Sequence, residues 1–396
     1  MTAGGRTVPS RGGAPPIPPA PPAGGGTVQQ QLSEVVLQRT VELAEIPAPT
    51  GREDARRDRV RSWWAQDGWA DVRTDQAGNV WARIRPGGRP ALVLAAHLDT
   101  VFDEAEDHRV RRDGTVLRGP GVGDNSVGVA ALSAIGTLVA AADGTTPVWI
   151  VATVGEEGLG NLRGIGEVIR QDLVPLAAVV AVEGNYLGRV AITGVGSVRW
   201  RVTVSGPGGH AWEQASAPSA VHAAAEMVAA LGRLPASPGG ADHTVTSVNV
   251  GLLSGGEAVN ARARRACFHV DLRAADAAAL ADLADRASAI VRAPGAGLTA
   301  EIEELGRRPA GALAATHPLA AAAAGVLRAA GLPAVFTAAS TDANAAHAAG
   351  VPAIAIGVTT GAGEHTPGEW IDTAPLAAGL GCAADTIAGW EGPHES

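Results

Sequence analysis

Three apolar runs in the chain end in residues that bind cations or move protons. ALVLAAHLDT (91–100) carries His97 and Asp99, PVWIVATVGEE (147–157) carries Glu156 and Glu157, and LAAVVAVEG (176–184) carries Glu183. Asp124 stands in the glycine-rich stretch Gly-Pro-Gly-Val-Gly-Asp-Asn (119–125), and His365 follows Gly361-Ala362-Gly363-Glu364. Two imidazoles and several carboxylates without a thiolate make a nitrogen/oxygen donor set suited to zinc, manganese or cobalt. Carboxylates gathered at one place repel and raise one another's pKa unless a cation offsets them. Two cations are the natural number, because a carboxylate can bridge ions about 3.5–4 Å apart and water between them is acidified towards neutrality. Glu156 neighbours Glu157 but points the other way on an extended chain, which frees it to act as general base. Asp99, two residues past His97, is placed to accept the ring's other N–H.

Each of these residues also has an ordinary structural explanation. Asp124 before a helix is a natural cap, Gly-Glu-Glu-Gly reads as a solvated acidic turn, and a histidine in a glycine-rich loop is commonly just exposed. Their joint occurrence on strand ends and loops is what points to a metal centre.

The elements that must position them alternate. Helical spacing over 32–43 stops at Pro47-Ala48-Pro49, and helical patterns over 126–141 and 162–171 separate the three apolar, β-branched runs. This alternation predicts an α/β fold with a mostly parallel sheet flanked by helices, whose strand C-termini share one edge. From residue 197 the order changes to strand, helix, strand, strand, helix, strand: 198–206, 219–234, 243–253, 264–274, 278–291 and 298–306. That is the ferredoxin-like α+β arrangement. A helix near 316–330 and the strand 351–358 return to the first style. With 396 residues exceeding what one core organises, we expect a catalytic domain over 27–196 and 308–396 with an inserted domain over 197–307. Residues 1–26, rich in Pro, Gly and Ala, read as a disordered tail.

The motifs Ala96-His97-Leu98-Asp99-Thr100, Gly123-Asp124, Gly155-Glu156-Glu157-Gly158, Glu183-Gly184, Gly208-Gly209-His210-Ala211 and His365-Thr366 together resemble one family. It is that of the dinuclear zinc peptidases and deacylases, which includes aminoacylase, peptidase T, carboxypeptidase G, acetylornithine deacetylase and succinyl-diaminopimelate desuccinylase. The resemblance covers nearly everything after the tail. It implies metal-dependent hydrolysis of an amide or peptide bond in a small peptide or N-acyl amino acid, with two divalent ions per subunit, zinc foremost and manganese or cobalt as alternatives. It further implies that His97 and Glu183 hold one metal, Glu157 and His365 the other, and that Asp124 bridges them. The inserted domain would mediate a homodimer, and His210 would reach the partner's site to stabilise a developing oxyanion. Asn260 matches a substrate-contacting asparagine, and the loop Ala339–Asn344, with Ser340 and Asp342, resembles the substrate-side loop, although it lacks the Gly-Gly of several relatives. Arg273 is a candidate partner for a substrate carboxylate.

Charge and cysteine content exclude other classes. A net charge of −9 with no basic run disfavours nucleic acid and membrane surfaces. Cys267 and Cys382, the only cysteines, leave no disulfide framework, and without a secretory signal pattern the expected location is cytoplasmic. No segment is expected to reach the apolar length of a membrane-spanning helix. Two other readings stand beside the hydrolase: a catalytically inactive metal-binding dimeric scaffold, and a nucleotide-binding oxidoreductase suggested by Gly158-Leu159-Gly160-Asn161-Leu162-Arg163-Gly164 after a strand.

Overall fold

A computed structural model describes residues 27–88, 90–171, 174–234, 246–390 and 392; the tail expected over 1–26 lies outside them. The central sheet runs in the order Ala70–Thr74, Val80–Arg85, Val148–Thr153, Ala91–His97, Leu176–Val182, Ala353–Ile356, Arg189–Gly194 and Gly311–Ala312, with Val335–Ala339 also paired to Arg189–Gly194. Its four middle strands, 148–153, 91–97, 176–182 and 353–356, are mutually parallel. Antiparallel partners flank them on both sides, so the sheet is parallel at its centre and mixed at its margins.

Period-two alternation sorts the central strands between two cores. Leu92, Leu94 and Ala96 join the larger one, beneath the helices Val28–Ala44, Val127–Ala141 and Leu376–Ala388, whereas Ala91, Val93 and Ala95 join the smaller one beneath Arg163–Arg170 and Ala343–Ala348. Strands 91–97 and 148–153 are buried along their whole length, as helices on both faces require. Val122–Ala141 is, against expectation, long and apolar enough to cross a membrane by composition, but 83% of its apolar window is buried and it forms the central packing helix.

The second module is the expected strand-helix-strand-strand-helix-strand unit. Its strands Gly196–Ser205, Thr246–Gly255, Arg265–Ala274 and Thr299–Arg308 form an antiparallel sheet in the order 246–255, 265–274, 196–205, 299–308. The helices Ala220–Leu231 and Ala277–Val291 share a core with Trp200, Phe268 and Leu272. Along Arg265–Ala274 every second residue is buried, and the alternate ones, including Asp271 and Arg273, lie on the opposite face. A small sheet, Thr360–Ala362, Trp370–Asp372, Val116–Arg118 and Arg111–Asp113, ties the His365 loop to the segment before Asp124.

Helix Leu376–Ala388 can lie close to the strand 353–356 region only because position 379 is glycine: a Cβ there would fall 1.9 Å from the Val358 carbonyl oxygen. Gly379→Ala should therefore destabilise the protein by about 1–3 kcal/mol through overpacking, seen as a lower thermal midpoint with metal stoichiometry unchanged in the folded fraction.

Candidate metal centre

Register brings the strand-end residues together. His97 pairs with Thr153, and Ala95 pairs with Ala181, two residues before Glu183. Thr153 leads directly to Glu156 and Glu157, so His97 and all three glutamates reach the same sheet edge. Asp124 arrives from the turn Val122–Ser126, where it leaves helical geometry (φ −115°, ψ 86°) and is joined to Asn125 by a cis peptide bond. His365 comes from the loop between Thr360–Ala362 and Trp370–Asp372.

His97 Nδ1 donates to the Asp99 carbonyl at 2.9 Å. A carbonyl only accepts, so the proton of the neutral ring sits on Nδ1 and the lone pair of Nε2 is left for a ligand. Nε2 lies 2.9 Å from Asp124 Oδ1 and 3.8 Å from Glu183 Oε2. Asp124 Oδ2 lies 3.2 Å from His365 Nε2, which is 3.1 Å from Glu157 Oε1. Two triads, His97–Asp124–Glu183 and Asp124–Glu157–His365, thus keep their donor atoms within 4.8 Å of one another and share Asp124; His97, Glu156 and Glu157 form an overlapping group.

The Asp99 carboxylate, 3.7 Å from His97 Nδ1, accepts the backbone N–H groups of Glu156 (3.0 Å) and Glu157 (2.9 Å) and the Thr50 hydroxyl (2.9 Å). The ring is held by the Asp99 carbonyl, and the carboxylate fixes the two glutamates. Glu156 comes within reach of His97 and Glu157, but Arg308 already engages it: Arg308 Nη1 donates to its Oε1 at 2.8 Å and Arg308 Nη2 to its carbonyl. Glu183 Oε2 takes 3.3 Å hydrogen bonding from the Asn125 amide, whose oxygen accepts the Gly184 N–H.

Electrostatics reflect a site built for positive charge. Burial opposes ionisation of His97, yet Asp124 and Glu183 hold its pKa well above the ordinary imidazole value. Asp124 and Glu157 push His365 up to about 10. Asp124 is buried as well, but His365 and His97 keep its carboxyl below the usual range. Burial pushes Glu156 and Glu183 upwards, Arg308 and His97 only partly restraining the former. Protons on the two imidazoles occupy the gaps between carboxylates where cations fit, and the all-nitrogen/oxygen donor set suits divalent metals.

These groups line a cavity of about 210 Å³ together with Arg199, Arg273, Arg308, Ser340 and Thr341. Arg273 pairs with Asp271 at 3.0 Å, and Ser340 accepts from Arg308 at 3.1 Å. Asp342 does not line the cavity; it is buried beneath it, accepts the Thr153 hydroxyl at 2.6 Å, and is pushed up to about 6 mainly by burial. His210 and Asn260 are exposed and lie together, Gly209–His210 pairing with Ala261–Arg262, away from this chain's own cavity lining.

Several contributors were not visible as such in the sequence. Arg56 is completely buried, donates to the Ala44, Ile46 and Leu98 carbonyls, and is lowered to about 10 by burial. Glu369 accepts three backbone N–H groups from the turn that presents Asp124. Burial is the main force raising Glu369, to about 8. Arg308 and Arg199 reach the cavity from strands of the inserted module. A polar residue at a strand end is a signal; which distant group it meets is set by the tertiary fold.

An α/β body with an inserted ferredoxin-like module and two nitrogen/oxygen triads at its strand ends defines a class of cation-binding proteins. Residues 93–388 match the model of peptidase family M20/M25/M40, and the chain belongs to that family. It is 31% identical over 281 residues to a protein named probable carboxypeptidase from Aspergillus clavatus, a match covering 63% of this chain and 62% of that one. A protein of the same name from Arthroderma benhamiae is 27% identical over 221 residues, 52% of this chain and 47% of that one. These matches thus span less than two thirds of the relatives' length, 62% of the first and 47% of the second. Among solved structures, a tripeptidase from Staphylococcus aureus superposes with a TM-score of 0.72 at 19% identity, covering 90% of this chain and 96% of that one. A dinuclear metal-binding peptidase from Bacillus subtilis superposes with a TM-score of 0.63 at 15% identity, covering 90% and 98%. The dinucleotide reading of 158–164 falls with the family assignment, and Glu156 and Glu157 sit where a pyrophosphate would have to approach.

Without a cation, the His365 proton must supply the missing charge. Its pKa, raised from 6.5 to about 10, contributes stability that is full below 6.5 and is lost as pH rises through 10. The thermal midpoint of chelated protein should fall across that window, while saturating zinc or manganese should raise it and flatten the dependence.

Proposed function

We propose that this chain is a metal-dependent hydrolase that cleaves an amide or peptide bond beside a free carboxylate in a small peptide or an N-acyl amino acid. The observation that carries the reading is that two cation triads joined at Asp124, the neighbouring Glu156 carboxylate engaged by Arg308, and three arginines face one cavity. His97, Asp124 and Glu183 would hold one ion and Asp124, Glu157 and His365 the other, with zinc the foremost candidate and manganese or cobalt compatible. Bound there, the ions supply Lewis acidity and a water of near-neutral pKa.

The chain's own residues do the rest. Glu156 takes the proton from the attacking water and delivers it to the leaving amine. Asp99 fixes Glu156 and Glu157 through their backbone N–H groups, so the base and its neighbouring ligand keep their relative placement. Arg273, with Arg199 and Arg308, offers guanidinium groups to the substrate carboxylate, and Ser340 and Thr341 border the same space. His210 and Asn260, exposed on the inserted module, complete the site of a second copy in a homodimer, where His210 donates to the developing oxyanion. Membership of a peptidase family and relatives named carboxypeptidases support the reaction class.

A hydrolysis screen of di- and tripeptides beside N-acyl amino acids, with zinc, manganese or cobalt added to metal-free protein, tests this reading. Two bound ions without turnover of any such compound would leave a cation-binding scaffold in its place. Glu156→Gln should reduce turnover by about 10²–10⁴-fold while two metals remain, because the amide oxygen still accepts from Arg308 and no ligand is lost. His210→Ala should lower kcat by about 10²–10³-fold with metal content and folding unchanged; an unaltered kcat would make it an ordinary surface histidine.

A further inference from the structure

Glu369 is a fully buried carboxylate near the centre that belongs to neither triad, and the N–H groups its side chain accepts all lie in one short segment. Its Oε1 accepts the N–H groups of Gly123 and Asp124, both at 2.7 Å, and its Oε2 that of Gly121 at 2.9 Å. Its own carbonyl accepts the Gly119 N–H at 2.9 Å. All four donors belong to residues 119–124, the turn that presents Asp124, whereas Glu369 sits four residues after His365. One side chain therefore joins the backbone behind the shared carboxylate to the loop behind the outer imidazole.

The two triads do not start from equal rigidity. His97 and Glu183 sit on or beside buried central strands, but His365 lies on a loop with φ +62° and a side chain 56% exposed. Asp124 must present one oxygen to each triad, at 2.9 Å to His97 and 3.2 Å to His365, so a small shift of turn against loop opens the outer triad first. The fit between turn and clamp is close: a Cβ on Gly123 would lie 2.9 Å from Glu369 Oε1 and 3.1 Å from an Ile371 methyl. Three donors aimed at one group need the two oxygens of a carboxylate. An amide offers one acceptor and turns an NH₂ towards the N–H groups.

Building on the metal-centre reading above, we propose that Glu369 is a positioning residue that locks the 119–124 turn to the His365 loop and so permits the outer triad to hold its cation while the inner one is filled. Its effect falls on the second cation, not on the fold as a whole.

Manganese titration of the metal-free full chain, read by calorimetry and by the exchange-coupled signal of a manganese pair in electron paramagnetic resonance, tests this. Glu369→Gln should weaken the second binding step by about 10–100-fold, leave the first step near wild type, and remove the coupled signal at concentrations where wild type shows it. Gly123→Ala presses on the same carboxylate from the turn side and should give the same signature, which keeps the test open if one variant fails to fold. Both steps unchanged, or both weakened in parallel with the thermal midpoint of metal-free protein, would overturn the proposal and leave Glu369 a fold residue. Wild type binding fewer than two ions would instead sink the metal-centre reading beneath it.

Discussion

Acidic side chains crowd the C-terminal edge of the central sheet, and the way each is neutralised separates structure from site. Asp99 is met by two backbone N–H groups and a hydroxyl, Glu369 by three N–H groups, Glu156 by a guanidinium, and Glu53 by the N–H groups of Gly51 and Gly155. Fixed dipoles or a buried arginine compensate those carboxylates, as burial of a charge demands. Asp124, Glu157 and Glu183 are treated differently. Among the described residues their close ionic partners are His97 and His365, whose own pKa values are driven upwards in return. A fold that satisfies its neighbouring acids so fully, yet leaves three facing one another across a cavity, has left room for positive charge from outside the chain.

The geometry of that room follows from backbone rules more than from side-chain detail. Parallel pairing puts the ends of strands 91–97, 148–153 and 176–182 level, and period-two alternation sends Leu92, Leu94 and Ala96 into one core and Val93 and Ala95 into the other. His97 continues that alternation at the first position where the sheet no longer needs an apolar side chain. Arg56 adds a buried positive charge behind the edge, bonded to the Leu98 carbonyl between His97 and Asp99, so the segment that carries both is gripped from below.

Legibility in the sequence tracked how local the determinant was. His97, Asp99, Glu156, Glu157 and Glu183 were readable because an apolar run ending in a polar residue is a one-dimensional pattern, and the inserted module was readable because six elements in a known order are too. The margins of the central sheet were not: Val80–Arg85 pairs antiparallel with Val148–Thr153 although the parallel strand 91–97 lies between them in sequence. Side chains whose meaning depends on remote contact were equally hidden. Arg308 meets Glu156 across 152 positions and Glu369 meets Gly123 across 246, separations at which spacing carries no information. Asp342 illustrates the converse, since its loop was recognisable but its side chain turns down onto Thr153 rather than into the cavity.

Arg308 also explains why the inserted module cannot be treated as a passive lid. It ends the last strand of that module, is 4% exposed, and grips Glu156 by both the carboxylate and the carbonyl. Arg199 and Arg273, from the same sheet, face the cavity beside it, and Asp271 neutralises only part of their charge. An incoming carboxylate would be attracted to the same guanidinium groups that hold the proposed base, so anchoring of substrate and release of Glu156 draw on one set of contacts. Any rotation of the module displaces those contacts together. Its exposed end, where His210, Trp212 and Val259 project into solvent, lies away from this chain's own cavity lining; in the homodimer proposed above, His210 would serve the second copy.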